Sequence, residues 1–366
     1  MNHKQQIKAS LVVACISCFF ILMNACTKDK VDTIPQVYKS PGMFICNEGP
    51  FQSGSGTVDY YSLNDQQCQK DIFGSKNGLP LGNIVQSMLK VGDTIFVIVN
   101  NSNKVVVVKA SDFSLIGSIE SLVLPRFMIS VSATKAYLSC WDNSVAIIDL
   151  KTLQVIGHIP VGTGPEKMLK SGNQVFVLNQ GGFSNDSTVS VINTLTNQVE
   201  QTLAVYPRPS GIVEDQASGE IWILCSGIGF DGWPGANDSE GHLVSILKGT
   251  SYSILKDFPF PDKSFHPMKL VQNTVTGDLL YLYKQGVFSQ KTNAPKLDTA
   301  SFINLGIPFY SLGFVSWGSP ALSYVVASDP VDYTQDGWVY LFHANDGKLA
   351  DSVHAGVVPT DFIFLH

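Results

Sequence analysis

The 366-residue chain carries a net charge of −6 and no long basic run, a balance that argues against a nucleic-acid partner. Its four cysteines beyond residue 26, Cys46, Cys68, Cys140 and Cys225, match no zinc-site spacing and do not cluster as a disulfide framework would. Cys46, Cys140 and Cys225 lie in apolar, strand-like runs and read as buried small hydrophobes.

Lys4 and Lys8 open the chain, and Ala9 to Met23 is mostly apolar. That run is too short for a membrane-spanning helix, which needs about 20 residues, and reads as a cleaved secretory signal over residues 1–25. Its removal takes away Lys4 and Lys8 and brings the net charge to −8. Ala25 followed by Cys26 resembles the lipobox of bacterial lipoproteins, which implies lipidation at Cys26 and a membrane attachment by lipid alone. Lys28 and Asp29 resemble the charged signal that sends Bacteroides-like lipoproteins to the outer face of the outer membrane. Residues 26–41 are polar, contain Pro35 and Pro41, and read as a flexible tether.

From residue 42 onward the sequence repeats. A proline followed three residues later by an apolar residue occurs at Pro125–Met128 and again at Pro165–Met168, forty positions on. It continues at Pro209–Ile212, Pro267–Leu270 and Pro359–Phe362, most weakly at Pro308–Ser311, where serine stands for the apolar residue, and Val85–Met88 holds the same place with valine for proline. Behind each copy come β-branched and aromatic runs bounded by Gly, Asn, Asp and Pro: TIFVIVN and KVVVVK, KAYLSCW and NSVAIIDL, QVFVLN and STVSVIN. Four short strands per unit of about 40–45 residues is the signature of a propeller blade. No segment keeps a helical period, so helix content is predicted to be very low.

The two ends of the chain complete each other. Pro359 to Leu365 supplies an innermost strand and the sequence stops, whereas MFICN (43–47), TVDYYS (57–62) and CQKDIF (68–73) lack one. The predicted fold is therefore all-β: a seven-bladed β-propeller over residues 42–366, closed by pairing the C-terminal strand with the N-terminal three, which leaves no free blade edge.

Two resemblances follow from particular segments. GHIPVGTGPEKM (157–168) resembles the YVTN-type surface propellers. MFICNEG (43–49), LPLGNIVQSM (79–88), IVNNSNKVVVV (98–108) and LPRFM (124–128) look like a Bacteroides-type lipoprotein family that includes the BtuG vitamin B12-capturing proteins. The second resemblance implies a cell-surface lipoprotein that binds cobalamin or another corrinoid and passes it to a TonB-dependent outer-membrane transporter of the BtuB type. The corrinoid is then a bound ligand and not a catalytic cofactor.

Propeller topology gathers two loop sets on one face, where convergent loops on a rigid scaffold favour binding. The loops entering the innermost strands carry Asn83, Gln86, Arg126, Glu166 with Lys167, Arg208, His266, Tyr310 and Asp361. Those joining second to third strands carry Phe51, Asn101, Trp141, Asp142, Phe183, Phe230, Trp233 and Tyr333. Aromatic side chains suit the partly apolar disc of a corrinoid, amides suit its amide-bearing rim, and Arg126 and Arg208 suit its phosphate. The Gly-rich stretch Gly227 to Ser239 is the candidate cover. A glycan or protein partner fits much of the same set. No GxSxG, metal-ligand cluster or opposed acid pair marks an enzyme, and the reading is of a binding protein without a catalytic or metal site.

Overall fold

Thr94–Val99 (TIFVIV) and Lys104–Lys109 (KVVVVK) are apolar at nearly every position, and both are buried along almost their whole length. A strand with no polar face must be covered on both sides. The computed structural model, which describes residues 37–231, 233, 235–247 and 252–366, shows what covers them. Seven four-stranded antiparallel sheets stand around a ring, each sandwiched between its neighbours. The outermost strands have a free side: Gln154–Pro160 and Gln198–Ala204 alternate between exposed and partly buried residues, the period of a half-covered strand.

The ring closes as expected. Innermost strand Pro359–Leu365 pairs with Gly42–Asn47, which pairs with Thr57–Ser62 and then Gln67–Gln69, so one blade is shared between the two ends of the chain. This is blade 1. Blades 2 to 7 follow in chain order, with innermost strands Val85–Val91, Pro125–Ser130, Pro165–Ser171, Pro209–Glu214, Met268–Gln272 and Ser311–Ser316. The apolar core divides accordingly into seven clusters, one in each gap between adjacent blades. Phe44 and Val97 meet between blades 1 and 2, and Met43 and Leu341 meet across the closing gap between blades 7 and 1.

Small polar side chains lace several blades to their neighbours. Ser87 Oγ donates to the Arg126 carbonyl at 2.6 Å and Asn100 Nδ2 to the Pro125 carbonyl at 3.0 Å. Ser226 Oγ reaches the Pro267 carbonyl at 2.7 Å, and Ser328 Oγ the Pro359 carbonyl at 2.7 Å across the closure. Cys46 is buried and its thiol donates to the Val85 carbonyl at 3.1 Å; burial pushes that thiol's pKa well up.

Three local expectations need correction or placement. CQKDIF does not continue as a strand: after Gln69 the chain turns, and Asp71 caps a short helix, Ile72–Asn77, by accepting the Gly74 N–H at 3.0 Å. The end of the expected tether is packed, with the Tyr38 ring 4.7 Å from Tyr60 and 5.2 Å from Phe44. The expected signal (1–25), Cys26 and the tether up to residue 36 lie outside the described residues.

Candidate functional site

The repeated proline motif has a structural reason. In blades 3 and 4 the innermost strand pairs with the second at Pro125 and Pro165 and then again only at Met128 and Met168, so the two residues between face a single partner. These are β-bulges, which aim side chains away from the ladder. Related bulges follow Val85, Pro209 and Met268. The proline begins the strand, the bulged pair turns toward the ring axis, and the apolar residue returns to the gap between blades.

The bulged residues surround one large cavity of about 850 Å³. The position after each motif's first residue contributes a wall group in all seven blades: Gln86, Arg126, Glu166, Ser210, Met268, Phe309 and Thr360. A second ring comes from the residue following the second strand: Glu48, Asn100, Trp141, Gln180, Ser226 and Lys284. Aromatic loop residues stand around both.

Of the sixteen sequence candidates, twelve line this cavity: Phe51, Gln86, Asn101, Arg126, Trp141, Glu166, Phe183, Arg208, Phe230, His266, Tyr310 and Tyr333. Four are placed elsewhere. Asn83 stands behind Asn101, accepting its amide at 2.9 Å and donating to the Pro50 carbonyl at 3.2 Å. Asp142 closes its own hairpin by accepting from Ser144 N–H and Oγ at 3.1 and 2.7 Å. Trp233 is 82% exposed and outside the wall. Asp361 accepts the Met88 N–H at 3.0 Å, and burial raises its carboxyl pKa against the pull of Lys167 and Lys269.

The side chains on the blade 3–4 side form a locked group. Arg126 Nε donates to Glu166 Oε1 at 2.8 Å and its Nη1 to Gln86 Oε1; Trp141 Nε1 donates to the same Glu166 oxygen at 2.9 Å. The guanidinium also lies 4.3 Å from the Trp141 ring centre. Its charge is therefore already matched. Opposite, the Tyr310 hydroxyl donates to Glu48 Oε1 at 2.9 Å and meets Tyr333 edge-on at 5.8 Å. Burial first, then the Glu48 charge, hold that phenol pKa well above its ordinary value.

The expected cover is attached at several points. Ser239 and Ile228 exchange hydrogen bonds of 3.0 Å, and Asp231 accepts the His266 N–H at 2.7 Å. Phe230 and Asp231 thereby join the cavity wall. His266 Nδ1 donates to the Ser226 carbonyl at 3.0 Å, while its Nε2, buried under Gly229, has no partner among the described residues. Gly229 is required there: its φ is +131°, and a Cβ would lie 2.5 Å from that nitrogen.

Sequence reasoning missed Glu48, Gln180, Lys269, Asp231 and Lys284 among the wall groups. The signal for four of them was present. Glu48, Gln180 and Lys284 hold the position of Trp141 in their own blades, and Lys269, two residues past Pro267, matches Lys167, two past Pro165. Among the described residues no group of three or more His, Cys, Asp or Glu side chains is arranged to hold a metal ion.

Comparison with known proteins agrees with this architecture. Residues 41–226, just over half of the chain, match the model of a family described as Domain of unknown function (DUF5074). No curated protein sequence matches the chain. Among solved structures, a protein from Lactobacillus plantarum is 10% identical, with 89% of this chain and 99% of that one covered at a TM-score of 0.63. The periplasmic gluconolactonase of Pseudomonas aeruginosa is 12% identical over 88% of this chain and 99% of that one, TM-score 0.62. A quinonprotein alcohol dehydrogenase-like protein from Bacteroides thetaiotaomicron is 15% identical over 89% of this chain and 78% of that one, TM-score 0.62. At such identities the likeness is one of fold alone.

Proposed function

The chain belongs to the DUF5074 family, and from that premise we propose that it is a cell-surface lipoprotein which captures a corrinoid in the central cavity and passes it to a TonB-dependent outer-membrane transporter. In this reading Cys26 carries the lipid, the tether holds the propeller off the outer membrane, and the protein binds its ligand without turning it over.

One observation carries the proposal. Four large aromatic or phenolic side chains stand exposed at the cavity wall: Phe183 at 90%, Phe51 at 71%, Phe230 at 69% and Tyr333 at 54%. Apolar rings exposed together around a concavity mark a surface that a ligand covers, and each contributes roughly 1.5–3 kcal/mol when fully buried. The cavity volume lies toward the upper end of the roughly 300–1,000 Å³ usual for small-molecule sites. A wide, rigid, partly apolar disc with an amide-bearing rim fits these walls, because Gln86, Asn100, Asn101 and Gln180 offer donors and acceptors between the rings. The closed scaffold of seven blades is preformed, so little ordering opposes binding.

The test is direct. Purified protein mixed with cyanocobalamin is passed over a gel-filtration column while the pigment's absorbance is followed. Co-elution of colour with the protein supports capture. Free pigment, with retention of the protein on a polysaccharide column, would assign the cavity to a glycan, and turnover of a lactone would assign it to catalysis.

A further inference from the structure

Five cations and three carboxylates line the cavity of an otherwise acidic protein. Two of the cations are matched. Arg126 is bound by Glu166, and Lys284 stands 3.7 Å from Asp262. Among the described residues the other three, Lys167, Arg208 and Lys269, form no ion pair. They come from blades 4, 5 and 6, three consecutive sectors of the ring.

All three line the cavity, with the Lys167, Arg208 and Lys269 cations 5.7, 5.4 and 5.4 Å from the ring centres of Phe127, Phe230 and Tyr310. Lys167 is the second bulged residue after Pro165 and Lys269 the first after Met268, each two residues past its motif's proline, with Lys269 at φ +60°. Arg208 precedes its innermost strand in the left-handed conformation, at φ +56°. Ile84 and Leu124 hold the same left-handed place in blades 2 and 3 and also line the cavity, so at this position only blade 5 presents a charge there. A non-glycine residue in that conformation is held against a strain of about 1 kcal/mol. Among the described residues Arg208 Nη1 has a single long bond, 3.3 Å to the Gly229 carbonyl, and its buried Nε has no partner. Burial lowers the Arg208 pKa, and burial followed by the charge of Lys167 brings the Lys269 ammonium down to about 8. Glu48 answers the Tyr310 hydroxyl, Asp231 the His266 N–H and the buried Asp361 the Met88 N–H; none forms an ion pair with these cations, although the charges of Glu48, Asp361 and Glu166 pull the Lys269 pKa upward against burial and Lys167.

We propose that the sector between blades 4 and 6 is an oxyanion subsite, in which Lys167, Arg208 and Lys269 together receive one phosphate-type group of the captured ligand. Unmatched cations crowded in a concave, poorly solvated site gain most from a single anion that answers all of them. A guanidinium and two ammoniums supply a fork and two point donors, a set suited to the several oxygens of a phosphate. The inference rests on reading the cavity as a ligand-capture site, and it assigns the phosphate to Arg208 and the two lysines, with no part for Arg126.

The experiment has two arms. The first titrates cyanocobalamin, which carries a phosphodiester, and dicyanocobinamide, which lacks the phosphate-bearing loop, into wild type, Lys167→Met and Arg208→Met. Each substitution is expected to weaken cobalamin binding by about tenfold or more, the scale of one lost charge-assisted hydrogen bond, and cobinamide binding by less than about twofold. Equal losses for both ligands, or none for cobalamin, would overturn the subsite. The second arm needs no corrinoid. Inorganic phosphate is compared with sodium chloride at equal ionic strength, reading the thermal midpoint of wild type and of the Lys167→Met/Arg208→Met double variant. A phosphate-specific rise in wild type that disappears in the double variant supports the subsite even if both corrinoids fail to bind. If neither a rise nor cobalamin selectivity is seen, the subsite does not exist. Midpoints in chloride alone report whether the variants are folded.

Discussion

Replacing Glu166 separates two roles of the locked group and moves them in opposite directions. Its side chain is 6% exposed and accepts from both Arg126 Nε and Trp141 Nε1, while the Arg126 side chain is only 16% exposed. Glu166→Ala leaves a guanidinium without a counter-charge and an indole N–H without an acceptor. Breaking a buried pair by removing one partner costs about 3–5 kcal/mol, and the residual exposure of Arg126 puts the expectation near the lower figure, about 3 kcal/mol. Urea unfolding followed by fluorescence would read this as a lower midpoint at an unchanged slope. Replacing both residues, as Arg126→Met/Glu166→Leu, is expected to cost less than the sum of the single changes, since no buried charge is then left alone. At the same time Glu166→Gln frees Arg126 to join the cationic sector and is expected to tighten phosphate binding. A loss below about 0.5 kcal/mol for Glu166→Ala, the level of an ordinary surface change, would refute the locked group as described.

Three other outcomes follow from the fold. Asp59 is fully buried and accepts the N–H groups of Asp71 and Gly356 at 2.9 and 2.8 Å, yet burial lifts its carboxyl pKa to about 6. A raised carboxyl stabilises the fold when protonated, so its contribution, at most about 3 kcal/mol, is present below about pH 4 and lost as pH rises through 6. Unfolding free energies measured from pH 4 to 7 should show this fall, and Asp59→Asn should flatten it. Gly211→Ala sets a Cβ 2.5 Å from Leu270 Cβ and 2.8 Å from its backbone nitrogen, across the gap between blades 5 and 6, and should lower stability by about 1–3 kcal/mol in denaturant titration. Deleting residues 359–366 uncovers strand Gly42–Asn47 as a free edge and strips Leu365 and Phe364 from the gaps on either side of blade 1; light scattering should show aggregation, and a soluble monomer with the parent midpoint would contradict ring closure.

The blades were legible because a bulge near the start of the innermost strand recurs in six of the seven units and favours similar residues there. A proline begins the strand, two side chains turn inward, and an apolar residue follows, so Pro125–Met128 and Pro165–Met168 are alike in sequence because they are alike in shape. The short helix at Ile72–Asn77 was not legible, since six residues are fewer than two full turns and IFGSKN shows no period. For the site, loop position located Trp141 and Phe183 but said nothing about which cations were free. The Arg126–Glu166 pair was nonetheless written in the repeat: the two residues are forty apart at equivalent positions of adjacent blades, and equivalent positions on adjacent blades are neighbours around the ring. Gln86 stands forty before Arg126 for the same reason. Lys269 was legible in the same way, standing two residues past Pro267 as Lys167 stands two past Pro165. Asp361 was misplaced because the main-chain N–H of Met88, which no side-chain pattern announces, holds its carboxylate out of the cavity wall.

A crystal structure of the protein grown with cyanocobalamin addresses the central claim most directly. The account predicts one corrin ring per chain seated within the central cavity, with Phe183, Phe51 and Phe230 closed over it and its phosphate against Arg208. A ring bound on the outer strands, or an empty cavity at saturating pigment, would contradict it.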